Sequence, residues 1–435
     1  MGQVATFREG ILSTLDLARQ LLSQGRVAEA ERACEQVLEH TPNAVEALNV
    51  CGVKSLRERQ HDRAVELLER AVEVAPGDPI SQHNLGRAYE ASGRVHDAID
   101  ALTHAVRLRP VYHVARVRLA ALLDARGDRE RAVLQYARAL EDAQQQGRWL
   151  DASGTPPSLR PLVERAVNTV RAHRAAALGA LLARLEQAYG REAMARIAAG
   201  VRIYLKQQAP EYPDPRQQPT FFYVPGLPAT PYFDRGLFPW IDEFEGQTDA
   251  IRAELLELLP SARGSERVFT SDELEQRNLR SEAGPASWTG FYFYRHGEPR
   301  ADNRARCPKT TAAIDRLPLS SVPGHGPEVL YSVFKPATHL LPHRGVTNTR
   351  VVGHLPLVVP ADCALKVGGE LHEWQEGRVV VFDDTYEHEA WNRSDRTRVV
   401  LIFDLWNPHL TEAERAAARD VVVDVSEFRL AAQQA

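Results

Sequence analysis

The chain has 435 residues, of which 44% are hydrophobic and 26% are charged, so it can bury a full core and is long enough for two or three domains. Its formal net charge of −5 gives no electrostatic reason to expect nucleic acid as a partner. The four cysteines lack CxxC or CxH spacing, so neither a disulfide framework nor a zinc site is indicated.

The first residues of the chain predict no export signal. They include acidic residues and lack the basic, apolar and small-residue order of a signal peptide. No stretch of the sequence reaches the ~18 apolar residues of a membrane span. Together with the scattered cysteines, these features predict a protein without a membrane span that stays in a reducing cytoplasm.

Residues 1–145 carry an internal repeat. Prolines recur at positions 42, 76 and 110 and alanines at positions 30, 64, 98 and 132, which is a constant spacing of 34 residues. Gly25, Gly93 and Gly127 keep the same register where paired helices would turn, with Arg59 in the second repeat. This period resembles the tetratricopeptide repeat, which implies an all-α helical solenoid. Such arrays present a surface to a peptide or protein partner, although a solenoid without a client stays an open alternative. The residues that match best are Gly86, Tyr89, Ala98, Ala105 and Pro110.

Residues 146–218 predict a helical linker region. A Ser-Gly-Thr-Pro-Pro cluster at 153–157 has the chemistry of a loop, and the segment after it has apolar residues at three- and four-residue spacing. A second break, rich in Pro and Gln, covers 210–219. The last domain is therefore predicted to span 219–435.

Short apolar segments follow one another quickly from Glu328 onward, separated by Pro, Gly, Asn and Asp. About seven strands at this spacing predict an antiparallel sandwich or barrel, such as a double-stranded β-helix of the jelly-roll, cupin-like type. His343 and His388 lie near the ends of separate strands, and Arg398 begins the next apolar run. Because a jelly roll brings distant residues to one open end, we expect the two histidines to share a metal ion.

The C-terminal third resembles iron(II)/2-oxoglutarate oxygenases, and closely resembles the aspartyl/asparaginyl β-hydroxylase domain. This resemblance implies that His343 and His388 hold Fe(II), with no other catalytic side chain required. The wider superfamily adds an Asp two residues after the first His, whereas this family has Gly, here Gly345. The matching segments are Tyr331-Ser332, Pro342-His343-x-Gly345, Thr347-Asn348-x-Arg350, His354, Trp374-x-x-Gly377, Phe382-Asp383-Asp384-x-x-Glu387-His388-Glu389 and Arg398.

The same resemblance assigns residues to the cosubstrate. Arg398 and Ser332 match the groups that bind the distal carboxylate of 2-oxoglutarate, and His354 matches a histidine that fixes it near the metal. Dioxygen is the second cosubstrate, and succinate and carbon dioxide are the products. Arg350 is expected near the substrate, but Val352 stands where many members of the family have a second Arg.

The resemblance implies hydroxylation of a peptide or protein side chain, with the repeats as a docking arm. Three alternatives stay open. Halogenases of the superfamily also have a small residue at the Gly345 position, a related branch hydroxylates lipid acyl chains, and an inactive domain would leave a repeat-protein adaptor. We expect Asp383 and Asp384 to brace the loop before His388 and not to bind metal, and Trp374 to be a packing residue.

Overall fold

The computed structural model describes residues 14–151, 153–260, 264–281 and 286–435. Two compact units are present, one of Met1–Arg174 with Glu427–Ala435 and one of Ala175–Ser426. Residues 1–13 lie outside the described ranges. They include most of the segment from which the absence of an export signal was predicted, and the first residues of the repeat array. None of the described helices is long and apolar enough to cross a membrane. The division at residues 145 and 218 stays a prediction.

Paired helices form the repeats of the first unit. The alanines that recur every 34 residues are fully buried between the helices of each pair. Residues in the left-handed region close the turns, with φ of 74° at Gly25 and 61° at Arg59, so the predicted turn register is confirmed. The helices are Val27–His40 (α1), Val45–Arg57 (α2), His61–Val74 (α3), Pro79–Ala91 (α4), Val95–Leu108 (α5), His113–Ala125 (α6) and Arg129–Gln145 (α7).

Close helix packing explains the glycine inside the first helix of a repeat. A Cβ atom added at Gly86 on α4 would lie 2.7 Å from Cγ of Leu102 on α5. Since real Cβ atoms do not approach that closely, the two helices could not keep their separation with a larger residue here. Two further helices follow the repeats, Arg160–Tyr189 (α8) and Ala195–Tyr204 (α9).

The C-terminal domain is rich in β-structure, as predicted. Its described helices are Ile241–Glu245 (α10), Thr248–Leu258 (α11), Asp272–Asn278 (α12), Ala301–Arg306 (α13), Pro308–Ile314 (α14) and Glu412–Gln434 (α15). Its described strands are Glu266–Arg267 (β1), Leu279–Ser281 (β2), Trp288–Arg295 (β3), Glu298–Pro299 (β4), Val329–Phe334 (β5), Thr338–His343 (β6), Arg350–Val358 (β7), Cys363–Val367 (β8), Glu370–Glu373 (β9), Val380–Phe382 (β10), His388–Asn392 (β11) and Arg398–Trp406 (β12).

These strands form two antiparallel sheets. The larger sheet has the order β1-β3-β5-β12-β7-β10, with β4 beside β3, and the smaller has the order β2-β6-β11-β8-β9. Neighbours in the order are distant in sequence, as a double-stranded β-helix requires. The antiparallel, two-sheet β-domain predicted from the spacing of the apolar segments is therefore confirmed.

Alternation along the strands separates two cores. On β5, Tyr331 packs with Leu401 of β12 against helices on the outside of the larger sheet. On the opposite face of β5, Phe334 packs with Leu340 of β6 and Leu365 of β8 in a cluster shared by both sheets. Because side chains alternate across a strand, the residues that face the smaller sheet are every second one, and they form the walls of a cavity.

Candidate active site

A cavity of about 430 Å³ lies between the two sheets. Strand β12 contributes Arg398 at one end, Ile402, and Asp404 at the other end, and alternate residues of β5 and β7 also line the cavity. The six steps from Arg398 to Asp404 correspond to about 20 Å of extended chain. The cavity is therefore long enough to hold different groups at its two ends.

The two histidines singled out in the sequence lie opposite each other. His388 on β11 pairs in register with His343 on β6, and the ring centroids are 4.0 Å apart. Nδ1 of His343 donates to the Leu341 carbonyl at 2.9 Å, and Nδ1 of His388 donates to the Tyr386 carbonyl at 3.0 Å. With Nδ1 protonated, a neutral imidazole has its lone pair on Nε2. Both rings are therefore prepared to bind a metal through Nε2.

Burial keeps one of these rings neutral. It lowers the pKa of His388 to about 4, and the neighbouring ring of His343 lowers it in the same direction. A metal ion bound to His388 would meet no competition from a proton on that ring at neutral pH. In the described part of the chain no group of three or more His, Cys, Asp or Glu side chains is arranged to hold a metal.

The Asp384 carboxylate fills the space beside Gly345. A Cβ atom added at Gly345 would lie 2.2 Å from Cγ of Asp384, so no larger residue fits while Asp384 is in place. One oxygen of Asp384 accepts from Nη2 of Arg350 at 2.6 Å, and the other is buried without a hydrogen bond. The Asp384 carboxylate, from the loop before His388, thus occupies the space where a side chain at position 345 would lie. It does not form a three-residue metal-binding group with the two histidines.

Asp383 has a different environment from its neighbour. It accepts from the backbone N–H and hydroxyl of Thr385 at 2.9 and 2.5 Å and from Nε2 of Gln217 at 2.6 Å. Burial raises its pKa to about 6, against the effect of these hydrogen bonds. Its contacts brace the turn that leads into His388, which is the role expected from the sequence.

Arg398 is a buried cation at one end of the cavity. Its side chain is 1% exposed and lies between the rings of Phe334 and Trp374, at 4.3 and 4.1 Å from their centroids. Nη1 lies 3.4 Å from the hydroxyl oxygen of Ser332, and no carboxylate forms a salt bridge with it in the described chain. Burial lowers its pKa to about 9. An uncompensated guanidinium in an enclosed site calls for an anionic ligand.

Ser332 is held by a residue that the sequence reasoning missed. Nε1 of Trp288 donates to the Ser332 hydroxyl oxygen at 2.9 Å. Because that oxygen already accepts from Trp288 and faces Arg398, its own proton is left to donate to a ligand. Trp288 lines the cavity and begins the aromatic strand β3, and its period-two register with the other cavity residues could have identified it.

His354 occupies the middle of the cavity. It is 5% exposed, and its Nδ1 is buried without a hydrogen-bond partner. Burial lowers its pKa, and the charge of Arg398 adds to the effect. His354 is therefore a neutral group with an unused polar atom between the Arg398 end and the paired histidines.

The far end of the cavity combines one arginine with several carboxylates. Nη1 of Arg350 donates to Asp404 at 2.9 Å, while its Nη2 donates to Asp384. Burial acts to lower the pKa of Arg350, but the two carboxylates outweigh it and raise that pKa. Glu328 lies nearby, and burial raises its pKa to about 7. Val352, two residues from Arg350, presents an apolar side chain to the same cavity.

All six candidate residues thus line one cavity. Their roles stay predictions, but their convergence follows from the fold. Sequence reasoning did not find Trp288, Glu328 or Asp404. Asp404 keeps the alternate spacing of Arg398 on the last strand, so it could have been found from the register. The candidates are Ser332, His343, Arg350, His354, His388 and Arg398.

Residues 245–408 match the family model described as aspartyl/asparaginyl beta-hydroxylase. Tetratricopeptide repeat models match residues 15–79, 83–148 and 55–110. The chain carries a β-hydroxylase domain after tetratricopeptide repeats. The β-hydroxylase match includes every candidate residue and both sheets' central strands.

Curated relatives share this domain. An ornithine lipid ester-linked acyl 2-hydroxylase of Rhizobium tropici is 36% identical over 181 residues, which are 41% of this chain and 61% of that protein. The aspartyl/asparaginyl beta-hydroxylase of Homo sapiens is 32% identical over 202 residues, 46% of this chain and 25% of that protein. The human aspartate beta-hydroxylase domain-containing protein 2 is 31% identical over 235 residues, 53% of this chain and 61% of that protein. The chain thus spans less than two thirds of each of these relatives.

Proposed function

We propose that the β-hydroxylase domain is an iron(II)/2-oxoglutarate-dependent dioxygenase that hydroxylates a peptide or protein side chain. One observation carries this proposal: the cavity holds a buried cation, Arg398, without a salt bridge among the described residues at one end and a facing pair of histidines farther along. 2-Oxoglutarate has the matching groups, since its distal carboxylate needs a cation and its inner carboxylate and keto oxygens chelate a metal.

The residues fit Fe(II) as the metal. His343 and His388 would hold it through Nε2, since imidazole nitrogen suits iron(II). When iron is bound, it supplies the activation of dioxygen that converts 2-oxoglutarate to succinate and carbon dioxide and inserts one oxygen atom into a substrate C–H bond. The backbone carbonyls that accept from both Nδ1 atoms fix the two rings in the ligating tautomer.

The remaining residues bind and orient the cosubstrate. Arg398 would donate to the distal carboxylate, and the Ser332 hydroxyl would add a third hydrogen bond. The rings of Phe334 and Trp374 keep the guanidinium in place on both faces. His354 would approach the inner part of 2-oxoglutarate through its unpartnered Nδ1.

Hydroxylation is favoured over halogenation by the side chain beside Gly345. A halogenase uses the space left by a small residue to bind a halide ion at the metal. Here the Asp384 carboxylate fills that space, and its negative charge would repel chloride. Mass spectrometry of a product formed in chloride buffer distinguishes the addition of an oxygen atom from the exchange of hydrogen for chlorine.

A lipid acyl chain is the second candidate substrate. The supporting observations are the similarity to the Rhizobium tropici acyl hydroxylase and the apolar wall formed by Val352, Leu330 and Ile402 inside the cavity. The tetratricopeptide repeats favour a peptide or protein substrate, because such arrays bind protein segments. An inactive adaptor is disfavoured, since both histidines and Arg398 are in place.

The test begins with binding. Under anaerobic conditions, Fe(II) and 2-oxoglutarate should together give a visible charge-transfer band, and the Arg398→Met and His388→Ala variants should not. Clients trapped on iron-free protein should then gain one oxygen atom after iron and air are restored. Absence of the band and of 2-oxoglutarate turnover in the unmodified protein would refute the proposal.

A further inference from the structure

The repeats contain two arginines that lack adequate counter-charges. Arg87 on α4 is half-buried, and it forms no salt bridge or hydrogen bond with any residue that the structure describes. Arg118 on α6 reaches only Glu90, with 3.5 Å between Nη1 and the carboxylate. Burial lowers the pKa of Arg87, and the charge of Arg118 adds to this effect. Two cations thus share one region with a single carboxylate at the limit of contact.

A buried histidine adjoins the two arginines. His83 is 7% exposed, and its Nδ1 lies 3.2 Å from the Tyr112 hydroxyl. Burial lowers its pKa to about 3, and Arg87 and Arg118 lower it further, so the ring is neutral. Its Nε2 is buried and has no hydrogen-bond partner among the described residues. The cluster therefore offers the guanidinium donors of two arginines next to a neutral ring, and it lacks an anion.

Several other arginines of the same unit are paired with carboxylates. Arg19 donates to Glu46 at 2.7 Å, and Arg57 lies 2.7 Å from Glu31. Against these pairs, Arg87 stands out as a cation without a partner in a partly desolvated position. Such an arrangement costs folding free energy, and a ligand that supplies a negative charge recovers it.

An apolar groove of about 530 Å³ begins on the same face of α4. Ile80 and Asn84 line it, and their spacing from Arg87 of seven and three residues places all three on one side of the helix. Amide groups connect the repeats here, since Nδ2 of Asn84 donates to Asn49 at 2.8 Å. Apolar side chains supply most of the rest of the lining, among them Leu22, Val27, Val45, Val50 and Val53.

The acidic side chains along this groove are already satisfied within the protein. Glu31 and Glu46 bind the arginines named above, and Asp78 accepts from the backbone of α4 at Ile80 and Ser81. Asp78 has these hydrogen bonds but no salt bridge among the described residues, whereas positive charge without a close carboxylate lies at the Arg87 end. A complementary partner is apolar along the groove and acidic beside Arg87 and Arg118.

We propose that Arg87 and Arg118, next to the buried ring of His83, bind an acidic side chain of an extended peptide segment whose apolar residues occupy the adjoining groove. This inference rests on the proposed role of the repeats as a protein-binding arm, and it names the chemistry of the partner. A segment of alternating apolar and acidic residues fits, because alternate side chains of an extended chain point to opposite sides.

The probe is a fluorescein-labelled, C-terminally amidated peptide of four Leu-Glu repeats, measured by anisotropy with the full chain. A twin with Gln in place of Glu is the matched control. The Glu peptide should bind at least about tenfold more tightly than the Gln peptide, and Arg87→Ala with Arg118→Ala should remove that preference. Arg63→Ala changes an exposed arginine that is paired with Glu66, and it should have no effect.

A stability readout separates this role from a structural one. Arg87→Met should raise the melting temperature of the free protein, because it removes an unpaired cation, whereas a structural arginine would lower it when replaced. The Glu peptide should raise the melting temperature of the unmodified protein but not that of the Arg87→Met variant.

Three results would overturn the proposal. The first is equal binding of the Glu and Gln peptides, which includes no binding of either. The second is undiminished binding of the Glu peptide by the double variant. The third is a requirement for a free C-terminal carboxylate on the peptide instead of the Glu side chains. Preferential displacement of the peptide by a single-stranded oligonucleotide would assign the cluster to phosphate. Binding of 2-oxoglutarate, measured in the same preparation, fails separately if the proposed enzymatic function is wrong.

Discussion

Replacement of Arg398 by Met should stabilise the free protein or leave it unchanged, while it abolishes binding of 2-oxoglutarate. Arg398 is 1% exposed and has no carboxylate partner in the described chain. The fall of the Arg398 pKa to about 9 corresponds to a loss of about 5 kcal/mol in the free energy of unfolding at neutral pH. This loss is present at every pH at which the guanidinium is charged in the folded protein. Contacts with the rings of Phe334 and Trp374 offset about 1–2 kcal/mol each. Met keeps much of the packing volume, so the net change in the free energy of unfolding should lie between about 0 and 3 kcal/mol in favour of the variant.

The effect on the ligand has the opposite sign. A bidentate, charge-assisted contact in a dry site contributes about 3 kcal/mol or more, so Kd for 2-oxoglutarate should rise at least ~100-fold. Denaturant titration of the free protein and calorimetric titration with 2-oxoglutarate measure the two quantities. Arg393→Met, which changes an exposed arginine over the ring of Trp391, is the control and should change neither strongly. A variant that unfolds more easily by about 2 kcal/mol or more and still binds 2-oxoglutarate would show that Arg398 is a structural residue.

Three further predictions concern the rest of the cavity. His343→Ala, which leaves His388 alone, should weaken Mn(II) binding at least about 100-fold by calorimetry, and unchanged affinity would place the metal elsewhere. Gly345→Ala should lower the free energy of unfolding by about 1–3 kcal/mol, because its Cβ meets the Asp384 carboxylate at 2.2 Å, and adding Asp384→Ala should restore part of this loss. The pKa of Glu328 is raised to about 7, so it favours folding most at low pH and that contribution is lost as pH rises toward 7. Glu328→Gln should therefore raise stability at pH 8 by up to about 3 kcal/mol and flatten the decline above pH ~5 in urea titrations, and an unchanged pH profile would contradict this reasoning.

The repeat register could be predicted from sequence for a physical reason. A 34-residue period fixes which small residues face a neighbouring helix, as the fully buried alanines show. His343 and His388 were singled out because few residue types bind metal and both lie near the ends of strands, and their role as metal ligands stays a prediction. The meeting of the two rings at 4.0 Å depends on β6 and β11 being neighbours, which antiparallel spacing alone does not specify.

Other contacts in the site could not be predicted from the sequence. The position of Asp384 beside Gly345 depends on the path of a loop, and a dipeptide of two aspartates does not show which of them faces the cavity. The same is true of the Trp288 contact with Ser332, which joins two residues 44 positions apart. That Arg87 has no salt bridge among the described residues depends on which side chains surround it in the fold. The sequence alone does not specify those neighbours.

The candidate metal ligands and the candidate anion-binding residues belong to different sheets. His343 and His388 are on β6 and β11 of the smaller sheet, whereas Ser332 and Arg398 are on β5 and β12 of the larger one. A cosubstrate that reached both would be a crosslink between the sheets, so its binding free energy would oppose their separation. Amide hydrogens in the central strands of both sheets should then exchange more slowly together when metal and cosubstrate are present, and either one alone should protect mainly the sheet that holds it.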